Sequence, residues 1–249
     1  MVNIRHIKAF VFILAIGLLW YGCRPSHTTE DFEPSYGYDF FPLEVGQYRL
    51  YRVDSVIFHK DQAPDTVSGF ARETVVEKLT TGTDTTRYRI LRQWRRADDD
   101  TWRTDAVWWA SRTALKAVQT ENNLSFVKLV FPLKVGEKWD GNAGFPAAET
   151  EVQIGDEHVA FYKAWAYRVE RIGQEVISPF GLLETADVVE ADFETLIELR
   201  QSTAKYARGI GLVERHQRIL DTQCITCDGP WEEKAEAGVI LDQVLIEHN

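Results

Sequence analysis

The sequence is short of the signatures that announce a familiar enzyme. Its 249 residues hold no G-x-S-x-G elbow, no H-E-x-x-H, no Walker loop and no G-x-G-x-x-G. The chemistry tied to those spacings therefore has no foothold. Gly209-Ile210-Gly211 lacks both a third glycine and a following helix pattern, so it does not bind a dinucleotide. The six histidines never fall within five residues of one another, which excludes a local metal pair, and no cofactor is expected. Basic residues are scarce beside acidic ones, 28 Lys+Arg against 38 Asp+Glu, for a net charge of −10. Such a surface repels a phosphate backbone, so nucleic acid is not an expected partner. Few windows show a 3.6-residue apolar repeat, and residues 232–237, helical by composition, are too short to stand alone. What is present is ordinary: 45% apolar and 12% aromatic residues, enough for a real core. That excludes a disordered chain, a collagen-like fibre and a multi-span membrane protein.

The first residues read as an address. Arg5 and Lys8 precede an uncharged run over 9–22. As a helix that run rises about 21 Å, short of a ~30 Å hydrocarbon core, so a secretory signal fits better than an anchor helix. The run ends Leu19-Trp20-Tyr21-Gly22-Cys23, and Gly22-Cys23 resembles the bacterial lipoprotein lipobox, although Trp20 stands where that pattern has leucine. The resemblance implies lipid on Cys23, the membrane as partner, and outer-membrane residence, because Arg24 replaces the aspartate of inner-membrane retention. Glu30-Asp31 is similar to a surface-export signal of Bacteroidetes lipoproteins. The expected organisation is a signal peptide over 1–22, a flexible tether over 23–39 and one β-rich domain over 40–249.

Three cysteines minus Cys23 leave Cys224-Ile225-Thr226-Cys227. A structural zinc site needs a second ligand pair, and a redox site needs a helix N-terminus behind the first cysteine. The flanks Asp221-Thr222-Gln223 and Asp228-Gly229-Pro230 read instead as a turn. A small disulfide pinning a hairpin loop is the preferred reading over redox or metal.

From residue 40 onward, short runs rich in Tyr, Val, Ile and Trp alternate with turn clusters such as 61–65 and 80–86. About a dozen strands are expected: 47–58, 70–79, 87–95, 102–110, 114–119, 125–131, 150–154, 165–177, 182–191, 203–207, 212–220 and 238–247. One segment recurs. Phe41-Pro42-Leu43-Glu44-Val45-Gly46-Gln47-Tyr48 returns as Phe131-Pro132-Leu133-Lys134-Val135-Gly136-Glu137-Lys138-Trp139. It reads as a strand-entry device: Pro42 and Pro132 fix an extended approach, the Leu and Val cover the sheet end, and Gly46 and Gly136 take a positive φ. Tyr48 and Trp139 are then expected at corresponding buried places.

These repeats, the tether and Tyr206-Ala207-Arg208-Gly209-Ile210-Gly211-Leu212-Val213 together resemble a group of Bacteroidetes-type lipoproteins of unknown function, DUF3108-like. The resemblance implies a strongly curved, open antiparallel sheet or half-barrel, with two related halves, and supplies no catalytic residues.

The remaining features read as structure. Asp98-Asp99-Asp100 is a hairpin tip, and Arg87, Arg89, Arg92, Arg95 and Arg96 are a solvent-facing stripe. Seven tryptophans beyond Trp20 either fill a curved core or line a concavity for an acyl chain or glycan. The expected protein is a non-enzymatic, lipid-anchored envelope lipoprotein. It binds a lipid or other hydrophobic ligand, a glycan or an envelope protein on a sheet face, the alternative being a purely structural component of an envelope assembly.

Overall fold

The protein is described here by a computed structural model covering residues 36–81, 85–99, 101–155 and 157–249. Cys23, the expected signal peptide and most of the expected tether lie outside the described residues. Fourteen strands follow one another: β1 Tyr48–Phe58, β2 Asp65–Thr81, β3 Thr85–Arg96, β4 Arg103–Arg112, β5 Lys116–Glu121, β6 Leu124–Val130 and β7 Lys138–Trp139, then β8 Val152–Ile154, β9 Glu157–Val159, β10 Trp165–Ser178, β11 Gly181–Glu194, β12 Glu198–Ala207, β13 Gly211–Asp221 and β14 Ala237–His248. A single helical turn, α1 (Trp231–Lys234), precedes the last strand.

Twelve of the strands form one antiparallel sheet in the order β6-β5-β4-β3-β2-β1-β14-β13-β12-β11-β10-β7. Each strand beside its chain neighbour is the cheapest connection, because hairpins close short loops. The ladder that joins the halves pairs β1 with β14, from Arg49 opposite His248 to Phe58 opposite Gly238. The sheet curls until its edges meet, leaving one seam between β6 and β7. Two bonds span that seam: Val127 N–H to Gly141 O at 2.8 Å, and the Trp139 indole N–H to Val127 O at 2.8 Å. The expected mainly antiparallel, strongly curved sheet is what forms, closer to a barrel than to half of one.

Alternation along the strands sorts side chains. On β1, Arg49, Tyr51 and Val53 are buried, and on β12, Arg200, Ser202, Ala204 and Tyr206 are buried. The interior stacks in layers. At one end Phe40, Phe41, Leu43, Val75, Ile90 and Trp108 pack with Tyr167 and Tyr206. At the other, the β8–β9 hairpin brings Ile154 and Val159 against Ile219. Outside the sheet, α1 lays Trp231 over Phe58, Leu199 and Leu220, with its indole N–H donating to Glu194. The β5–β6 turn uses Asn122 and Asn123 at φ 51° and 66°, a conformation asparagine tolerates well.

Residues 36–39, expected as tether, are packed on the body. Tyr38 packs on the core, the Arg112 guanidinium donates to Tyr38 O at 2.7 Å, and Asp39 pairs with Arg208. The physical reason is that the sheet's end needs an apolar cover, and Tyr38, Phe40 and Phe41 supply it.

The two repeats make the same backbone bonds. Gly46 N–H donates to Val75 O and Val75 N–H returns to Gln47 O; Gly136 N–H donates to Val169 O and Val169 N–H returns to Glu137 O. Gly46 and Gly136 have φ 95° and 81°. The first repeat leads into β1–β6 and the second into β7–β14. Tyr48 and Trp139, however, do not correspond. Counted from the glycines, Trp139 matches Arg49, whereas Tyr48 matches Lys138. One residue along a strand reverses the face. Trp139 accordingly packs against the core, while the Tyr48 hydroxyl donates outward to Glu247. The repeated valines also do not cover the sheet end: Val45 and Val135 are exposed, and Leu43 and Leu133 do the covering.

Candidate functional site

Two polar constellations arise from this arrangement. The first is a belt of charge across the interior. Strand alternation turns Glu73 on β2 and Arg92 on β3 inward, and they pair at 2.8 Å. Lys128 on β6 pairs with Glu121 on β5, also at 2.8 Å. Glu190 on β11 accepts from the Ser202 hydroxyl at 2.6 Å and faces the Arg215 guanidinium at 3.6 Å. Burial alone would raise the Glu121 carboxyl, but the Lys128 and Arg215 charges outweigh it and hold it below the ordinary carboxylate value. The neighbouring phenols go the other way: burial pushes Tyr51, Tyr162, Tyr167 and Tyr206 well up, so they stay neutral donors. Glu190 Oε1, Arg215 Nε and Gln243 Nε2 are buried without a hydrogen-bond partner.

This belt does not resemble an acid–base pair. A general acid needs a carboxyl raised toward neutrality and a route to substrate. Here each carboxylate faces a cation, Glu73 with Arg92, Glu121 with Lys128 and Glu190 with Arg215. The pairs tie β2 to β3, β5 to β6, and β11 to β12 and β13.

The second constellation is a cleft of about 680 Å³ at the end of the barrel where β1 begins. Its wall is the first repeat, Pro42 to Gln47, with Tyr38, Asp39, Arg112, Gly209 and Asn249 opposite. Each wall residue is placed by the fold. Arg112, at the end of β4, donates to Tyr38 O and to Phe41 O at 3.0 Å. Asn249, beyond β14, accepts from Tyr48 N–H at 2.8 Å and donates to Gly46 O at 3.2 Å. Gln47 donates to Gly209 O at 3.3 Å, and its Oε1 is buried with no partner. Arg208, beside Gly209, grips Glu184 through two bonds of 2.8 and 2.6 Å and also pairs with Asp39. Those bonds hold the Glu184 carboxyl below its usual range. The cleft wall contains no serine, cysteine, histidine or lysine; its ionisable side chains are Tyr38, Asp39, Glu44 and Arg112. Its volume suits a small ligand, and its amides, carboxylates and guanidinium suit hydroxyl groups better than an acyl chain.

The other expected site residues are dispersed. The structure joins Cys224 and Cys227 by a disulfide, Cα–Cα 5.5 Å, in the loop between β13 and β14 at the far end from the cleft. Pro42 and Gly46 line the cleft, whereas Pro132, Gly136 and Trp139 stand at the seam. The tryptophans line no common concavity. Trp108 and Trp139 belong to the core at the cleft end, Trp231 caps the outer face, and Trp102 lies under the Arg72 and Arg95 guanidiniums. The arginine stripe divides as strand alternation requires: Arg92 turns inward to Glu73, whereas Arg89 pairs with Glu77 on the solvent side. The belt is not legible in the sequence because its members come from separate strands, each polar residue reading locally as solvent-facing.

No family model matches the chain, and no curated protein matches it. Among solved structures it is similar to a Bacteroides fragilis protein assigned as exported, with a YmcC-like fold. The identity is 10%, covering 84% of this chain and 98% of that one, at a TM-score of 0.39. At that distance the likeness bears on neither site nor activity.

Proposed function

We propose that the protein is a non-catalytic cell-envelope lipoprotein, anchored through Cys23, whose end cleft binds a polar, hydroxyl-rich ligand of the glycan class. The observation that carries the ligand class is the cleft itself: about 680 Å³, walled by Asp39, Glu44, Gln47, Arg112 and Asn249, whose carboxylates, amides and guanidinium offer both acceptors and donors to hydroxyl groups. The anchor rests on the basic start, the short apolar run and Gly22-Cys23. The DUF3108-like resemblance of the repeats agrees with an envelope setting.

Calorimetric titration of the purified full chain against soluble bacterial polysaccharide and peptidoglycan fragments tests the ligand. Gln47→Leu should weaken Kd about tenfold, ~1.4 kcal/mol, with the melting temperature held. Binding unaffected by Gln47→Leu and Glu44→Gln would remove the cleft from the function. The anchor has its own test: Cys23→Ser should abolish recovery in the membrane fraction.

A further inference from the structure

The end of the barrel that holds the cleft also gathers exposed aliphatic side chains. Strand direction places the 41–47 and 131–137 loops, the β4–β5 turn and the β10–β11 turn at this one end. Each carries an aliphatic residue in water: Val45 56%, Leu115 72%, Val135 64%, Ile177 88% and Leu182 61% exposed. Three others among the described residues are more than half exposed, Leu196 and Ile225 at the opposite end and Val107 in mid-strand. Val45 and Val135 occupy the same place in the two repeats, so the device that starts each half also points a valine outward. Ile177 and Leu182 lie next to the β10–β11 tip, where Ile177 pairs with Leu182 across the hairpin. Single exposed aliphatics are ordinary, but a set of them on the tips of one end marks a surface meant for contact.

The described chain also starts here. Leu133 N–H donates to Tyr36 O, fixing residue 36 at this end. Cys23 lies 36 − 23 = 13 residues earlier, a span of at most about 45 Å when extended.

We propose that this aliphatic rim rests on the lipid bilayer that anchors Cys23, so that the cleft faces the membrane surface. This rests on the anchored-lipoprotein reading above and adds an orientation to it. The occupant is a bilayer rather than a protein because the tips are separate, are spread over four loops of this end and share it with the chain's entry point. A plane that deforms around each tip fits such a surface. The net charge of −10 gives no electrostatic attraction to anionic lipid, so the contact is apolar.

The test uses the full chain with Cys23→Ser and one added cysteine, Ile177→Cys, Leu182→Cys or, as the control, Leu196→Cys. Each carries an environment-sensitive dye and is mixed with phosphatidylethanolamine–phosphatidylglycerol vesicles containing nitroxide-labelled phospholipid. The oxidised Cys224–Cys227 pair does not take the label. Positions 177 and 182 should be quenched at least twofold more than position 196. Equal quenching at both ends, or none at 177 and 182 whether or not the protein floats with the vesicles, would overturn the proposal. Anchoring is read separately, from fatty-acid labelling of Cys23 in cells. Labelling can succeed while the rim stays dry, and the rim can be quenched when labelling fails.

Discussion

At the scale of single residues, the repeats show how little separates a buried side chain from an exposed one. Trp139 and Arg49 stand three residues after their glycines and turn inward, whereas Tyr48 stands two after and turns out. The glycines are the firmer part of the device. A Cβ at Gly46 or Gly136 would meet no atom within 4 Å, so substitution is opposed by the backbone alone. Gly136→Ala should cost ~1–2 kcal/mol for holding an L-residue at positive φ, and Gly136→Val more, about 2–3 kcal/mol. The same pair at Gly46 should behave alike. Urea midpoints provide the measurement, and a change under ~0.5 kcal/mol at both sites would show that the loops relax to negative φ. The positive φ was readable in the sequence because glycine recurred at one place in a repeat. The facing of the aromatics was not, because the aromatic stands two residues after the glycine in one repeat and three in the other, and one residue reverses the face.

At the scale of elements, the weakest junction is the seam, where one backbone bond and the Trp139 indole do the joining. Trp139→Phe keeps most of the packing and removes the N–H, and should cost ~1 kcal/mol. Amide exchange at Val127 should quicken while the β1–β14 ladder is unchanged; equal quickening in both would mean the sheet opens as a unit. Most strands were legible from their aromatic and β-branched runs. The segments that do not read as strands each have their own cause. The start of β12, Glu198–Ser202, is polar because Arg200 turns inward to donate to Ala160 O, Leu199 O and Asp221. β9 is three residues long, below the length at which alternation can be seen. The entry over 36–39 reads as tether in the sequence because its aromatics serve an end cap rather than a strand.

At the scale of the whole molecule, the interior belt makes stability depend on acid. Glu121 titrates below its ordinary value of 4.5 in the folded state. A carboxyl lowered on folding stabilises fully above the unfolded value, and that stability is lost as pH falls through 4.5 toward the folded value. Lys128→Met takes away the 2.8 Å partner and should cost ~3 kcal/mol at neutral pH, since it leaves a charge buried. It should also move the acid unfolding limb to higher pH, because burial then pushes Glu121 up. Circular dichroism across pH 3–7, a range chosen to bracket the carboxylate value, reads both effects; an unmoved acid limb would mean that other carboxylates set it. The ladder between β1 and β14 has a different kind of consequence, one of timing. The strand that opens the barrel sequence has as its partner the strand that ends it, Arg49 against His248. Such distant pairing is slow to find, and during synthesis it cannot be found until the last dozen residues exist. The two ends of the sheet therefore stay unjoined along β1 until the final strand has been made.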